Sequence, residues 1–264
     1  MAILNENDLI AALANCQVFD YEKVNQTAEG AGTYHSLWRA NGLPVAGAIP
    51  ASGNGEIPTR TTLGAIPFIN PTGGNTSYLV GMDAVSNIVN TLFLYDRLFH
   101  NSGLVGNVTT AQTFTQPALT RFTDGVGVEI FIEFYTAIGA TACTFNVAYT
   151  DADNVARVGT YAHPANAESV GQMVKVVPPA GARGCKSVQS VTLSATSGTA
   201  GNFGITLAKR IATIAMPLIN VANERNAIDT RLAIIPDNAC LALAVLCTGT
   251  ATGNHNGQIY IGQK

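Results

Sequence analysis

Residues 126–158 read VGVEIFIEFYTAIGATACTFNVAYTDADNVARV. Apolar and polar side chains alternate there with a period of two, the mark of strands that bury one face. The segment Asp151-Ala152-Asp153-Asn154 interrupts the alternation. Asp and Asn side chains bond to nearby backbone amides and favour turns. The stretch therefore predicts an antiparallel hairpin with one buried face. No other part of the chain carries a signal of that strength, and this one concerns architecture rather than chemistry.

Working outward toward the C-terminus, the same reading places strands near 126–137, 141–150, 155–162, 170–177, 186–196, 202–216, 231–235, 240–248 and 257–263. Turn signals separate them at Gly139, Asp151 to Asn154, Pro178-Pro179, Ser197-Gly198 and Pro236-Asp237-Asn238. Many short strands at this spacing predict a mainly β chain, an antiparallel β-sandwich of jelly-roll-like type. Gly198, Gly201 and Gly204 then read as strand ends.

Toward the N-terminus the pattern changes. Asn5 or Asn7 can cap a short helix, with Glu6 and Asp8 suited to its positive end and Leu9, Ile10 and Leu13 as its apolar stripe. A second short helical piece is expected around Asp20 to Thr27. Residues 41–78 carry Pro or Gly every few positions. So long a connection without regular structure is either a functional arm or a loop laid over a surface. Residues 79–100 are expected as a helix or a helix passing into a strand, because Val85, Ile88, Val89, Leu92 and Tyr95 fit helical spacing. The resulting division is 1–80, short helices and extended arm, and 81–264, the β-sandwich.

The chain has 264 residues, 47% hydrophobic and 12% charged, with a net charge of −3. The charged share is about half the usual quarter. So little charge among many neutral polar residues suits a protein that hides surface against copies or partners. An ordinary all-β domain with neutral loops has the same composition. Residues 1–170 hold 6 basic and 14 acidic side chains, and residues 171–264 hold 8 and 3. Opposite halves of this kind complement each other within or between subunits. Lys175, Arg183 and Lys186 are scattered among Pro and Gly without stacking aromatics, which argues against a nucleic-acid partner. No apolar run reaches the roughly 18 residues of a membrane helix, so no membrane partner is expected. The acidic start lacks the basic region of an export signal, which predicts synthesis in a cytoplasm.

Candidate chemistry is sparse, and neither a cofactor nor a metal ion is expected. The glycines at 198–204 are followed by a strand-like Phe203 to Leu207, not by the helix a phosphate site needs. A calcium loop starting at Asp151 would need Gly and Glu where Ala156 and Ala162 stand. Glu129 and Glu133 share one strand face, a spacing open to a glycosidic carboxylate pair or to a plain wet face. Cys16, Cys143, Cys185, Cys240 and Cys247 form no CxxC pair. They read as buried reduced thiols, or as disulfides formed after the protein leaves the cell. Trp38 is an interface anchor or a core residue. Pro44, Pro50, Pro58, Pro67 and Pro71 hold extended backbone whose amides can join another chain's sheet edge. With Trp38 they make up the candidate interface.

Three stretches carry a resemblance. They are Trp38-Arg39-Ala40-Asn41-Gly42-Leu43-Pro44 running on to Pro71, Val147 to Arg157, and Ser187 to Ala195 followed by Gly198 to Leu207. Together they resemble tailed-bacteriophage virion structural proteins of the head or neck. The resemblance covers about the middle two-thirds of the chain and has no catalytic content. It implies a non-enzymatic capsid-decoration, cement or neck protein, made in the host bacterial cytoplasm and located in the virion. Its implied partners are further copies of itself, as a symmetric homo-oligomer, and other virion proteins such as the major capsid protein. A receptor- or carbohydrate-binding appendage of the same particle is the alternative. Deletion of 41–78 is expected to leave a folded domain that assembles poorly.

Overall fold

The computed structural model describes residues 2–28 and 30–264. Helix α1 (Glu6–Ala14) opens the chain. Asn5 caps it by accepting a bond from the Asp8 amide at 3.0 Å, and Ala12 is its buried residue. Strands β1 (Gln17–Val24), β2 (Tyr34–Ser36), β3 (Asn41–Leu43), β4 (Ser77–Ser86), β5 (Asn90–His100) and β6 (Gln112–Thr113) follow. Next come β7 (Val128–Thr136), β8 (Cys143–Thr150), β9 (Ala156–His163), β10 (Gln172–Lys175) and β11 (Ser187–Leu193). The chain ends with β12 (Asn202–Met216), β13 (Asn223–Arg225), β14 (Ile234–Ile235), β15 (Leu241–Cys247) and β16 (Asn254–Gln263).

These strands form three antiparallel layers, so the fold is mainly β and sandwich-like as expected. The middle layer closes on itself as a six-stranded barrel, β10-β2-β15-β5-β12-β7. One outer sheet runs β13-β4-β16-β1-β3, with β14 also on β4. The other runs β6-β11-β8-β9. Closure removes the open edges a flat middle sheet would leave.

Each gap between layers holds a core. Phe134, Ile132 and Phe203 of the barrel meet Phe145, Val147, Val188 and Val191 of the second outer sheet. On the opposite side, Leu92, Leu94, Leu243 and Val245 meet Tyr21, Leu79, Met82 and Ile259. A smaller cluster of Phe93, Tyr95, Phe131, Met173, Ala208 and Ala244 fills the barrel. On β5, Phe93 and Tyr95 belong to that filling while their neighbours Leu92 and Leu94 face the outer sheet, so both faces of the strand are buried.

Several expectations are corrected here. The turn at Asp151 joins β8 to β9, with Thr150 opposite Ala156. The preceding strand, β7, leaves that hairpin and pairs with β10 and β12 in the barrel. Asp20 to Thr27 is not helical: most of it is β1, where Tyr21 and Lys23 point inward and Asp20 and Glu22 outward. Residues 79–100 contain no helix. They form the successive strands β4, in an outer sheet, and β5, in the barrel, both buried on both faces, so no period of two is left to read. The strand expected at 231–235 shrinks to Ile234–Ile235, because Arg231 and Leu232 take left-handed φ values of 53° and 49°. Gly204 lies inside β12, where a Cβ would stand 1.9 Å from the Asn101 carbonyl oxygen. The division at residue 80 falls within β4, and β1 and β2 are strands of sheets completed by the C-terminal half.

Candidate interaction surface

The Pro/Gly-rich segment is fastened to its own subunit. Its foundation is Trp38, 1% exposed. The indole Nε1 donates to the Ala48 carbonyl at 3.3 Å. The Arg97 guanidinium lies 4.9 Å from the ring centroid, and His100 meets the ring edge-on at 5.6 Å. Gly47 presses against the indole so closely that a Cβ would stand 2.4 Å from the ring. Further on, Ser102 donates to the Pro50 carbonyl at 2.7 Å, and Asn101 Nδ2 to the Gly53 carbonyl at 3.0 Å. His100 Nε2 meets Glu56 Oε1 at 3.0 Å, and Arg121 donates to the Pro58 carbonyl at 3.0 Å. Ile66 and Phe68 then enter the core between the barrel and the first outer sheet.

Charges buried at the end of β5 and in the barrel anchor these contacts. Arg121 holds Asp96 through two bonds of 2.8 and 3.0 Å. Arg97 donates to Glu133, which also accepts from Thr206 at 2.7 Å and Tyr135 at 3.3 Å. Burial alone would raise the Glu133 carboxyl. The Arg97 charge and the hydrogen bonds outweigh it and hold that carboxyl below the usual range. His100 is pushed far below its ordinary value by burial first and by the Arg97 charge second. It is therefore neutral. Its Nδ1 accepts from Arg97 Nε at 2.8 Å, which leaves Nε2–H to donate to Glu56. Lys23, buried in β1, donates to the Ala40 and Pro44 carbonyls, and burial lowers it to about 8.

Between the fastened segment and β1 lies a cleft of about 480 Å³. Its rim presents Val18, Leu43, Val45 and Leu63, which are 50%, 52%, 56% and 57% exposed. Asp20 and Arg60 are its charged members. Beside it, β3 is the outermost strand of its sheet. A second group of exposed apolar side chains, Leu218, Ile219, Val221, Ile228 and Ile234, lies on and beside the loop after β12.

Of the expected interface residues, Pro44 and Pro67 line the cleft, and Pro71 is half-buried outside it. Trp38, Pro50 and Pro58 are buried inside the subunit and hold the segment in place. The four apolar rim residues were missed. Leu43, Val45 and Leu63 carry only the signal of an aliphatic side chain beside Pro or Gly, as in Leu43-Pro44-Val45 and Leu63-Gly64, and Val18 carries none. Removing 41–78 would strip Ile66 and Phe68 from the core, so that deletion is not expected to leave a folded domain.

Glu129 and Glu133 share a face of β7 as expected, and each is paired. Glu129 meets Lys175 at 3.1 Å, Arg210 at 3.4 Å and the Tyr95 hydroxyl at 3.1 Å. Asp151 is used up by its turn. It accepts from the amides of Asp153 and Val155 at 2.9 Å and from Arg157 at 2.8 Å. Cys16, Cys143, Cys185 and Cys240 are free thiols, and Cys247 is buried on β15. Burial pushes the Cys185 and Cys240 thiols up, away from reactivity. Among the described residues no cluster of three His, Cys, Asp or Glu side chains suits a metal ion. No described helix is long and apolar enough to cross a membrane.

No protein-family model matches the chain, and no curated protein matches it. Among solved structures, the chain is weakly similar to "Structure of infectious bursal disease virus Gt strain", with 8% identity and a TM-score of 0.18 over 94% of this chain and 81% of that one. It is also weakly similar to "Crystal structure of infectious bursal disease virus VP2 subviral particle", with 9% identity and a TM-score of 0.21 over 99% and 83%.

Proposed function

We propose that the chain is a non-enzymatic virion structural protein that decorates or cements a phage head or neck through subunit contacts. The observation that carries this reading is the apolar cleft beside the fastened segment, with four aliphatic side chains half in water next to an outermost strand. Covering each contributes on the order of 1 kcal/mol, and a stable contact buries about 800 Å² per partner. The sparse charge and the likeness of three stretches to phage virion proteins support the same reading. Occupation of Glu129 and Glu133 by Lys175, Arg210 and Arg97 supports a non-catalytic role. A carbohydrate-binding appendage would use exposed aromatic rings. Among the described residues every Trp, Tyr and Phe is buried or half-buried.

The test is Val45→Asp with Leu63→Asp. Both side chains are exposed, so the fold and melting temperature should be kept while light scattering shows loss of the oligomer. A wild-type chain that stays monomeric at high concentration, and binds no particle, overturns the proposal.

A further inference from the structure

We propose that the cleft beside β3 receives the apolar loop tip 217–222 of a second copy, joining subunits head to tail, which rests on the cleft being a subunit contact and names its occupant. In the sheet order β13-β4-β16-β1-β3 the tip leads into one outermost strand, β13, and the cleft lies beside the other, β3. Four strand spacings of about 4.8 Å put these edges roughly 19 Å apart. The tip is therefore out of reach of its own subunit's cleft and free to enter another's.

The tip is a projection. Residues 217–222 are exposed without a break, and Leu218, Ile219 and Val221 are each more than half in water. Two bonds fix its base: the Asn220 amide donates to the Ser86 carbonyl at 2.7 Å, and Asn223 Nδ2 to the Ala215 carbonyl at 2.6 Å. A loop already ordered loses little freedom on docking. The cleft is the concave counterpart, with about 480 Å³ of space behind an aliphatic rim. Seating the tip there takes both apolar patches out of water at once. The charges match as well. The cleft offers Asp20 and Arg60. The β13 edge offers Glu224 and Arg225, whose link to Asp229 is loose at 3.9 Å. Glu224 of one copy can thus meet Arg60 of the next, and Arg225 can meet Asp20. Because the two surfaces differ, the contact is heterologous. Each copy spends one tip and one cleft, and repetition closes a ring or runs on as a filament.

The test is complementation between two broken copies of the full chain. Leu218→Asp with Ile219→Asp spoils the tip, and Val45→Asp with Leu63→Asp spoils the cleft. All four side chains are exposed, so both variants should melt like wild type. Ser at the same four positions replaces Asp if either variant melts early. By light scattering the wild type should exceed a dimer, and each variant alone should be monomeric. Their equimolar mixture should form a dimer and go no further, since it joins one intact tip to one intact cleft. A tip variant that assembles like wild type overturns the proposal and leaves the cleft as a contact with some other occupant. A mixture that stays monomeric overturns it too. So does a wild type that is monomeric at high concentration, and the virion role is then decided separately by particle binding.

Discussion

Replacing Arg97 by Met tests how the Pro/Gly-rich segment is held. In the wild type the guanidinium touches Glu133, His100 Nδ1 at 2.8 Å and the Trp38 ring at 4.9 Å. Met fills most of the same volume but removes the charge. Glu133, 1% exposed, is then left buried without its cation, held only by hydroxyl donors such as Thr206, Tyr135 and Ser36. Removing one partner of a buried pair destabilises by about 3–5 kcal/mol. For a urea m-value on the order of 3 kcal/mol/M, that lowers the unfolding midpoint by about 1–1.7 M. Arg97→Met with Glu133→Leu removes both charges and should lose less than either the sum of the singles or Arg97→Met alone. The three variants and wild type form a double-mutant cycle, read by urea unfolding at pH 7. Because His100 loses its donor and Trp38 its cover, the single variant should also be cut faster by protease within 48–57. A midpoint within about 0.3 M of wild type, or strict additivity in the cycle, would refute this reasoning.

Three further outcomes follow from the same contacts. His100 is held neutral when folded but protonates near 6.5 when unfolded, so the unfolded state binds the extra proton and stability falls as pH drops below 6.5. The loss should be about 1.4 kcal/mol per pH unit, and His100→Gln should flatten that part of a urea-unfolding series. Lys23 titrates near 8 when folded and near 10.5 when unfolded, so stability should rise between those values, a slope absent in Lys23→Met. Gly47→Val puts side-chain carbons into the indole of Trp38. It should lower stability by about 1–3 kcal/mol in urea, whereas Gly53→Ala, with open space around it but a left-handed φ, should show only the backbone part.

Alternation and turn chemistry determined most strands from Val128 onward to within a few residues, because β8 alternates buried and wet side chains and β12 runs its full expected length, whereas β13 and the extent of β10 and β14 were not legible. Asn5 or Asn7 as a cap likewise announced α1, since capping is a local bond, and the structure uses Asn5. Only tertiary structure decided the rest. The β4 and β5 strands are buried on both faces, which erases their period, and barrel closure takes β7 from its sequence neighbour β8. The Pro/Gly-rich segment carries no period at all. Its course is set by side chains distant in sequence, Trp38, Arg97, His100 and Arg121, and the aliphatic groups it leaves in water emerge only when those contacts form.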